Sequence, residues 1–229
     1  MKNILTYINF VRESSLKRGI LFTFKLIFWE LMFDRLYGVE TFSIVELSEL
    51  QLNKNEIEHG KRYQASNYYL LALSIKSLEK CGFQFEGKIS LDLGSGKGRA
   101  LIVFAEKKVK KSIGVEISYK LNEIAQANSH RWLKKHSNCS TEFQFITSDA
   151  STFKIPDTID LIYIANPFDE IILKEVVMNI KESYNSNPRE LFIVYMIPIH
   201  KDLFLDSIFN QVEIFKKDFI IYKIFSHTL

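Results

Sequence analysis

Leu91-Asp92-Leu93-Gly94-Ser95-Gly96-Lys97-Gly98-Arg99 sets three glycines at alternate positions directly after an apolar run. The run from Ile89 reads as a strand, and Arg99 to Lys107 reads as the helix that follows. Glycine has no Cβ, so the chain can turn sharply here and its backbone can approach a ligand closely. A dinucleotide fingerprint needs G-x-G-x-x-G, and its third glycine would fall at Arg99. The pattern is instead G-x-G-x-G, preceded by an acid at Asp92. Ser112 to Val115 reads as a second short strand that ends at Glu116. An acid at that tip can accept hydrogen bonds from both hydroxyls of a ribose. The alternative is a plain glycine-rich turn, but the order strand, glycines, helix, strand, acid is complete.

Downstream, strands and helices keep alternating. Lys88 to Leu93 and Ser112 to Val115 are followed by a helix over Tyr119 to Lys134 and a strand over Glu142 to Thr147. A fourth strand, Ile159 to Ala165, leads to a helix over Asp169 to Tyr184. A fifth, Leu191 to Met196, precedes a short helix around Lys201 to Ile208. Gln211 to Phe215 and Phe219 to Phe225 are β-rich runs separated by Lys216-Lys217-Asp218, the spacing of an antiparallel hairpin. The alternation predicts an α/β fold with a mostly parallel sheet. Upstream, residues 1 to about 38 read as helical and end at Gly38, and residues 39 to 62 as a polar connection. Ser66 is the expected N-cap of a helix through Lys80, stopped by Gly82. The expected division is a helical extension and linker over residues 1–62, then the α/β domain over 63–229.

The glycine motif with Asp92 resembles motif I of the class I S-adenosylmethionine-dependent methyltransferases. The likeness runs from Phe33 to His200 and includes Phe33-Asp34-Arg35-Leu36-Tyr37-Gly38-Val39, Arg62-Tyr63-Gln64-Ala65-Ser66, Gly114-Val115-Glu116 and Asn166-Pro167-Phe168-Asp169. It points to a bacterial group of unassigned substrate. The resemblance implies a Rossmann-like sheet of seven strands with S-adenosyl-L-methionine as cofactor. It implies a cofactor shell of Tyr63, Ser66, Asp92, Gly94, Ser95, Gly96, Gly98, Glu116, Asp149 and Asn166. Tyr63 and Ser66 would cover the methionine end, and Asp149 or its backbone would meet the adenine amine. Tyr63 could equally be a packing aromatic, and an Asp in a turn is commonly just a cap.

Asn166, Pro167 and Phe168 follow the fourth strand, where a proline favours an extended approach and then a turn. The Asn166 amide oxygen could accept the N–H groups of an amine, with Phe168 as an apolar wall. Asn-Pro-Phe resembles the Asn-Pro-Pro-aromatic motif of amino-directed DNA methyltransferases, without its second proline. It also resembles the Asn-Asn-Phe of the non-SET histone-lysine methyltransferases, with Pro167 at the second Asn. The resemblance therefore implies methyl transfer to an amine of a protein or small molecule. A helix-initiating turn is the simpler alternative. A hydroxyl of a sugar or lipid-linked intermediate is another acceptor class, and a non-catalytic binding module a third reading. A hydroxyl would need a base, for which His200 and Asp169 are the candidates.

Composition narrows the partners. Across 229 residues the net charge is only +3, which argues against nucleic acid as a partner. Cys81 and Cys139 have neither metal-ligand spacing nor a disulfide framework, which fits free thiols in a reducing cytoplasm. No metal site is expected. Ile20 to Phe33 is apolar on nearly every face but interrupted by Lys25 and Glu30, too short and too charged to span a membrane. It should be a helix that buries Phe24, Phe28 and Met32 against the domain or a second subunit. The alternative is a peripheral membrane contact, with Lys17 and Arg18 near the headgroups.

Overall fold

The computed structural model describes residues 11–50, 62–165 and 168–226. Residues 11–18 are helical, Gly19 breaks the run at positive φ, and α1 (Ile20–Tyr37) follows. Gly38, in the left-handed conformation, caps α1 with its N–H on the Asp34 carbonyl. The expected helical stretch is thus divided at Gly19 and ends at Gly38 as expected, while its residues 1–10 lie outside the described residues. α2 (Tyr68–Lys80) begins after Asn67, whose side chain accepts from the Tyr69 and Leu70 N–H groups. Ser66 is therefore not the cap. Asn67 is better suited, because its amide also donates to the Leu26 carbonyl and the Glu30 carboxylate and so fastens α2 to α1.

β1 (Ile89–Leu93), α3 (Arg99–Glu106), β2 (Lys111–Glu116), α4 (Tyr119–Lys135), β3 (Glu142–Thr147) and β4 (Leu161–Ile164) follow in turn. α5 (Glu170–Ser186), β5 (Leu191–Met196), β6 (Asn210–Phe215) and β7 (Phe219–Ile224) complete the unit. Only one 3₁₀ turn, Lys201–Phe204, forms where a short helix to Ile208 was expected. β4 starts two residues later than expected, because the Asp160 carboxylate takes the Ile89 N–H and the Lys88 ammonium.

The seven strands are ordered β3-β2-β1-β4-β5-β7-β6. β1 pairs in parallel with β2 and β4, β2 with β3, and β4 with β5, while β7 is antiparallel to both β5 and β6. Alternation along β1 turns Leu91 and Leu93 to one face and Ser90 and Asp92 to the other. Leu91 and Leu93 join the α5 residues Leu173, Val176 and Ile180 in one apolar cluster. On the opposite face, Leu26 and Phe33 of α1 share a cluster with Leu71 and Ile75 of α2, Phe104 of α3, Trp132 of α4, and Tyr163, Phe192 and Phe219 of the sheet. Strand order reverses between β1 and β4, which opens a crevice at their carboxyl ends.

Candidate active site

At the end of β1, Gly94, Gly96 and Gly98 all take positive φ (80°, 53° and 81°), which ordinary side chains resist. The Gly94 and Ser95 N–H groups donate to the Val115 carbonyl at 2.8 and 3.0 Å, clipping the loop to the end of β2. Gly114 makes room there, since a Cβ on it would lie 2.6 Å from Ser95 Oγ. Gly98 then opens α3. A helix start leaves its first backbone N–H groups without partners within the helix, an arrangement that favours an anion such as a carboxylate.

Two buried carboxylates meet beneath this loop. Glu116, at the tip of β2, accepts from Gly96 N–H at 2.9 Å and from Ser118 N–H at 3.0 Å. Burial raises its carboxyl, and those backbone donors oppose the rise. Asp92 is raised further, by burial first and by the Glu116 charge second. Its Oδ1, like Ser95 Oγ, has no hydrogen-bond partner among the described residues. An orphaned acid in the cradle of a glycine loop is suited to an ammonium group.

Tyr63 lies on the loop: a Cβ on Gly96 would overlap its ring. Its hydroxyl donates to the Thr41 carbonyl at 2.8 Å. The Ser66 side chain faces the hydroxyl of Tyr163, which pairs with Asp92 in register across β1 and β4. At the tip of β3, next to Glu116, the Asp149 carboxylate accepts from Ser151 N–H and Oγ, both at 2.8 Å. That is a turn-cap arrangement. Phe168 packs, half-buried, against the cluster on the α5 side. Asn166 and Pro167 lie outside the described residues. Tyr63, Ser66, Asp92, the glycines and Glu116 thus converge at the tips of β1 and β2, with Asp149 beside them at β3.

Two loop residues had no role in the sequence reading and prove central to the structure. Lys97 is 2% exposed, its ammonium 2.6 Å from Glu40 Oε1 and 5.3 Å from the centre of the Tyr63 ring. Arg99, also buried, donates to Glu30 (2.7 Å), to the Ser66 carbonyl (2.8 Å) and to Thr41 Oγ1 (2.8 Å), and it stacks on Phe33. Both cations fasten the first part of the chain onto the glycine loop. Their signal in the sequence was the coincidence of two loop cations with Glu30, Asp34 and Glu40 upstream.

S-adenosylmethionine presents an ammonium, a carboxylate, a ribose diol and an adenine amine. The orphaned Asp92, the N–H groups at the start of α3, the Glu116 tip and the Asp149 turn offer matching chemistry in that order, so the residues present fit this cofactor. Toward the acceptor side, His200 Nδ1 stands 3.9 Å from Glu170 Oε2, and Asp169 caps α5 by accepting from the Ile172 N–H.

Comparison with known proteins agrees with this geometry. The Escherichia coli protein yhhF, provisionally a methyltransferase, superposes with a TM-score of 0.56 at 11% identity, covering 72% of this chain and 90% of that one. PH1948 of Pyrococcus horikoshii, provisionally an RNA methyltransferase, gives 0.52 at 15% identity over 77% of this chain and 91% of its own. The ribosomal protein L11 methylase of Lactobacillus delbrueckii subsp. bulgaricus gives 0.50 at 14% identity, over 69% and 77%. These likenesses are of fold. No curated protein matches the chain in sequence. A family described as a methyltransferase domain matches residues 84–222, more than half of the chain, from the approach to β1 into β7. The chain belongs to this methyltransferase-domain family.

Proposed function

We propose that this methyltransferase uses S-adenosylmethionine to methylate an amine nitrogen of a protein side chain or small molecule. The choice of acceptor is supported by the likeness of Asn166-Pro167-Phe168 to the motifs of amine-directed methyltransferases. Leu93 and Ile164 are paired at the ends of β1 and β4, so β4, which this sequence follows, ends beside the glycine loop. When bound, S-adenosylmethionine supplies a methyl group on a sulfonium, open to in-line displacement. The protein's part is then to hold the acceptor in line, and alignment of this kind accounts for much of the barrier lowering in such reactions. Asn166 would accept the acceptor's N–H and aim its lone pair. Asp92 would hold the ammonium of the cofactor and Glu116 its ribose. A hydroxyl acceptor would also need a base; Asp169 is already committed to capping α5, which leaves His200, beside Glu170, as the candidate.

The test is to incubate the protein with labelled cofactor and cell extract, then to locate the methylated atom by mass spectrometry. A methylated nitrogen is expected, and a methyl ether would overturn the amine reading. Asn166→Ala should lower turnover by roughly 10²-fold with a much smaller change in cofactor affinity. Full activity in that variant would also exclude Asn166 as the orienting residue.

A further inference from the structure

α1 is apolar on its outward side as well as on its inward one. Its inward side carries Thr23, Leu26, Glu30 and Phe33, and both of its acids are taken up inside: Glu30 pairs with Arg99, and Asp34 binds Thr41. The outward side is a helical stripe of Leu21 (77% exposed), Phe24 (64%), Phe28 (43%) and Leu31 (57%). The expectation that α1 buries Phe24, Phe28 and Met32 against the domain or a second subunit is therefore corrected for the domain, where Phe24 and Phe28 are exposed and Met32 is half-buried. Arg99 and Phe33 fix the rotation of the helix, and that rotation turns the two phenylalanines outward.

The exposed charges that α1 itself carries are of one sign. Lys17, Lys25 and Arg35 are exposed at its start, edge and end, and α1 presents no acid outward. Glu13, on the preceding turn, is paired with Lys17. At the start of α1 a groove of about 430 Å³ joins Arg18, Ile20, Leu21, Phe22, Lys25 and Tyr69, continuing the same mixture of apolar and cationic groups.

α1 also lies along the working edge of the sheet. At its start, Arg18 grips Asp218, whose carbonyl takes the Ile197 N–H at the end of β5. Near its other end, Glu30 grips Arg99 at the end of β1. Exposed Ile197 and Ile199 stand at the β5 end of that edge.

We propose that the outer face of α1 docks on an anionic lipid surface, apolar side chains in the interface and Lys17, Lys25 and Arg35 among the headgroups. No described helix is long and apolar enough to cross a membrane, so the chain lies on the surface. Charge decides against a second copy. Two such stripes face to face would set Lys25 and Arg35 against the same cations, with no acid of α1 to answer them. An anionic bilayer answers both.

The experiment is flotation of the full-length protein with vesicles of phosphatidylcholine, alone or with roughly one-third phosphatidylglycerol. Binding to the anionic vesicles is expected, weakening as salt is raised from roughly 0.1 to 0.5 M. Phe24→Ser with Phe28→Ser should reduce the bound fraction about tenfold or more, because apolar burial drives insertion. Neither residue belongs to the site, so calorimetric binding of S-adenosylmethionine should be unchanged and reports that the variant is folded. Three outcomes would overturn the proposal: no binding by the folded protein, equal binding by the variant, or a solution dimer that the same substitutions dissociate.

Discussion

In the proposed cofactor site, Asp92 is the residue through which protonation would link stability to ligand binding. Burial and the neighbouring Glu116 hold its carboxyl well above the usual range. The folded chain thus keeps a proton that the unfolded chain releases near pH 4, at about 3.9. Stability from this group is complete below that value and is lost as pH rises through the folded-state pKa. Asp92→Asn removes the titration. The variant's thermal midpoint should therefore rise relative to the parent as pH is raised from about 4 toward neutrality. An ammonium placed against Asp92 favours the carboxylate, so cofactor binding by the parent should release a proton. Calorimetry in buffers of different ionisation enthalpy measures that release, and the Asn variant should show weaker binding without it. Equal affinity and an unchanged pH profile would remove Asp92 from the site. Glu116 has a double task, since its carboxylate holds the loop through Gly96 and remains able to accept further hydroxyl donors. Glu116→Ala should weaken cofactor binding by about 1–3 kcal/mol, read as a calorimetric Kd. Unchanged affinity would separate the β2 tip from the ribose.

The elements carrying a strong local signature were legible before any coordinates. The glycine loop and the acid at the tip of β2 were marked by residue type and spacing alone, and β3 and β5 have the expected bounds. The orientation of α1 was not legible. A helix apolar on nearly every side has no period that singles out a buried face. Here the face is selected by Arg99, 69 residues away in sequence, which draws Glu30 inward and sets Phe33 under its guanidinium. The cap of α2 was missed for a related reason. Ser66 and Asn67 are equally acceptable as local caps. What distinguishes them is that the Asn67 amide also reaches Leu26 and Glu30, a tertiary contact. Lys97 and Arg99 likewise read as loop cations until the acids of the first forty residues fold over them. Local patterns identified the glycine loop, and long-range ion pairs determine what covers it.

Across the whole molecule, alternation of strand and helix was enough to predict the sheet and its closing hairpin. What it could not show is how far the first part of the chain enters the core. Leu26 and Phe33 share an apolar cluster with β4, β5 and β7, and Arg99 stands buried between α1 and the glycine loop. Deleting residues 1–33 would remove Leu26, Phe33 and Glu30 together. It would expose part of the apolar cluster on that face and leave Arg99 without its nearest carboxylate. Removing one partner of a buried pair costs about 3–5 kcal/mol, before any loss of apolar burial. A domain typically has only about 5–15 kcal/mol of stability in total. The truncated chain should therefore lose its cooperative urea transition and aggregate. Glu30→Gln, which keeps α1 and its packing, should retain a cooperative transition at a lower midpoint. Combining the deletion with Arg99→Leu should recover part of the loss, because the stranded charge is gone. A truncated chain that unfolds cooperatively at the parent's midpoint would mean that α1 is an appendage, and that the glycine loop keeps its shape without the residues that now hold it.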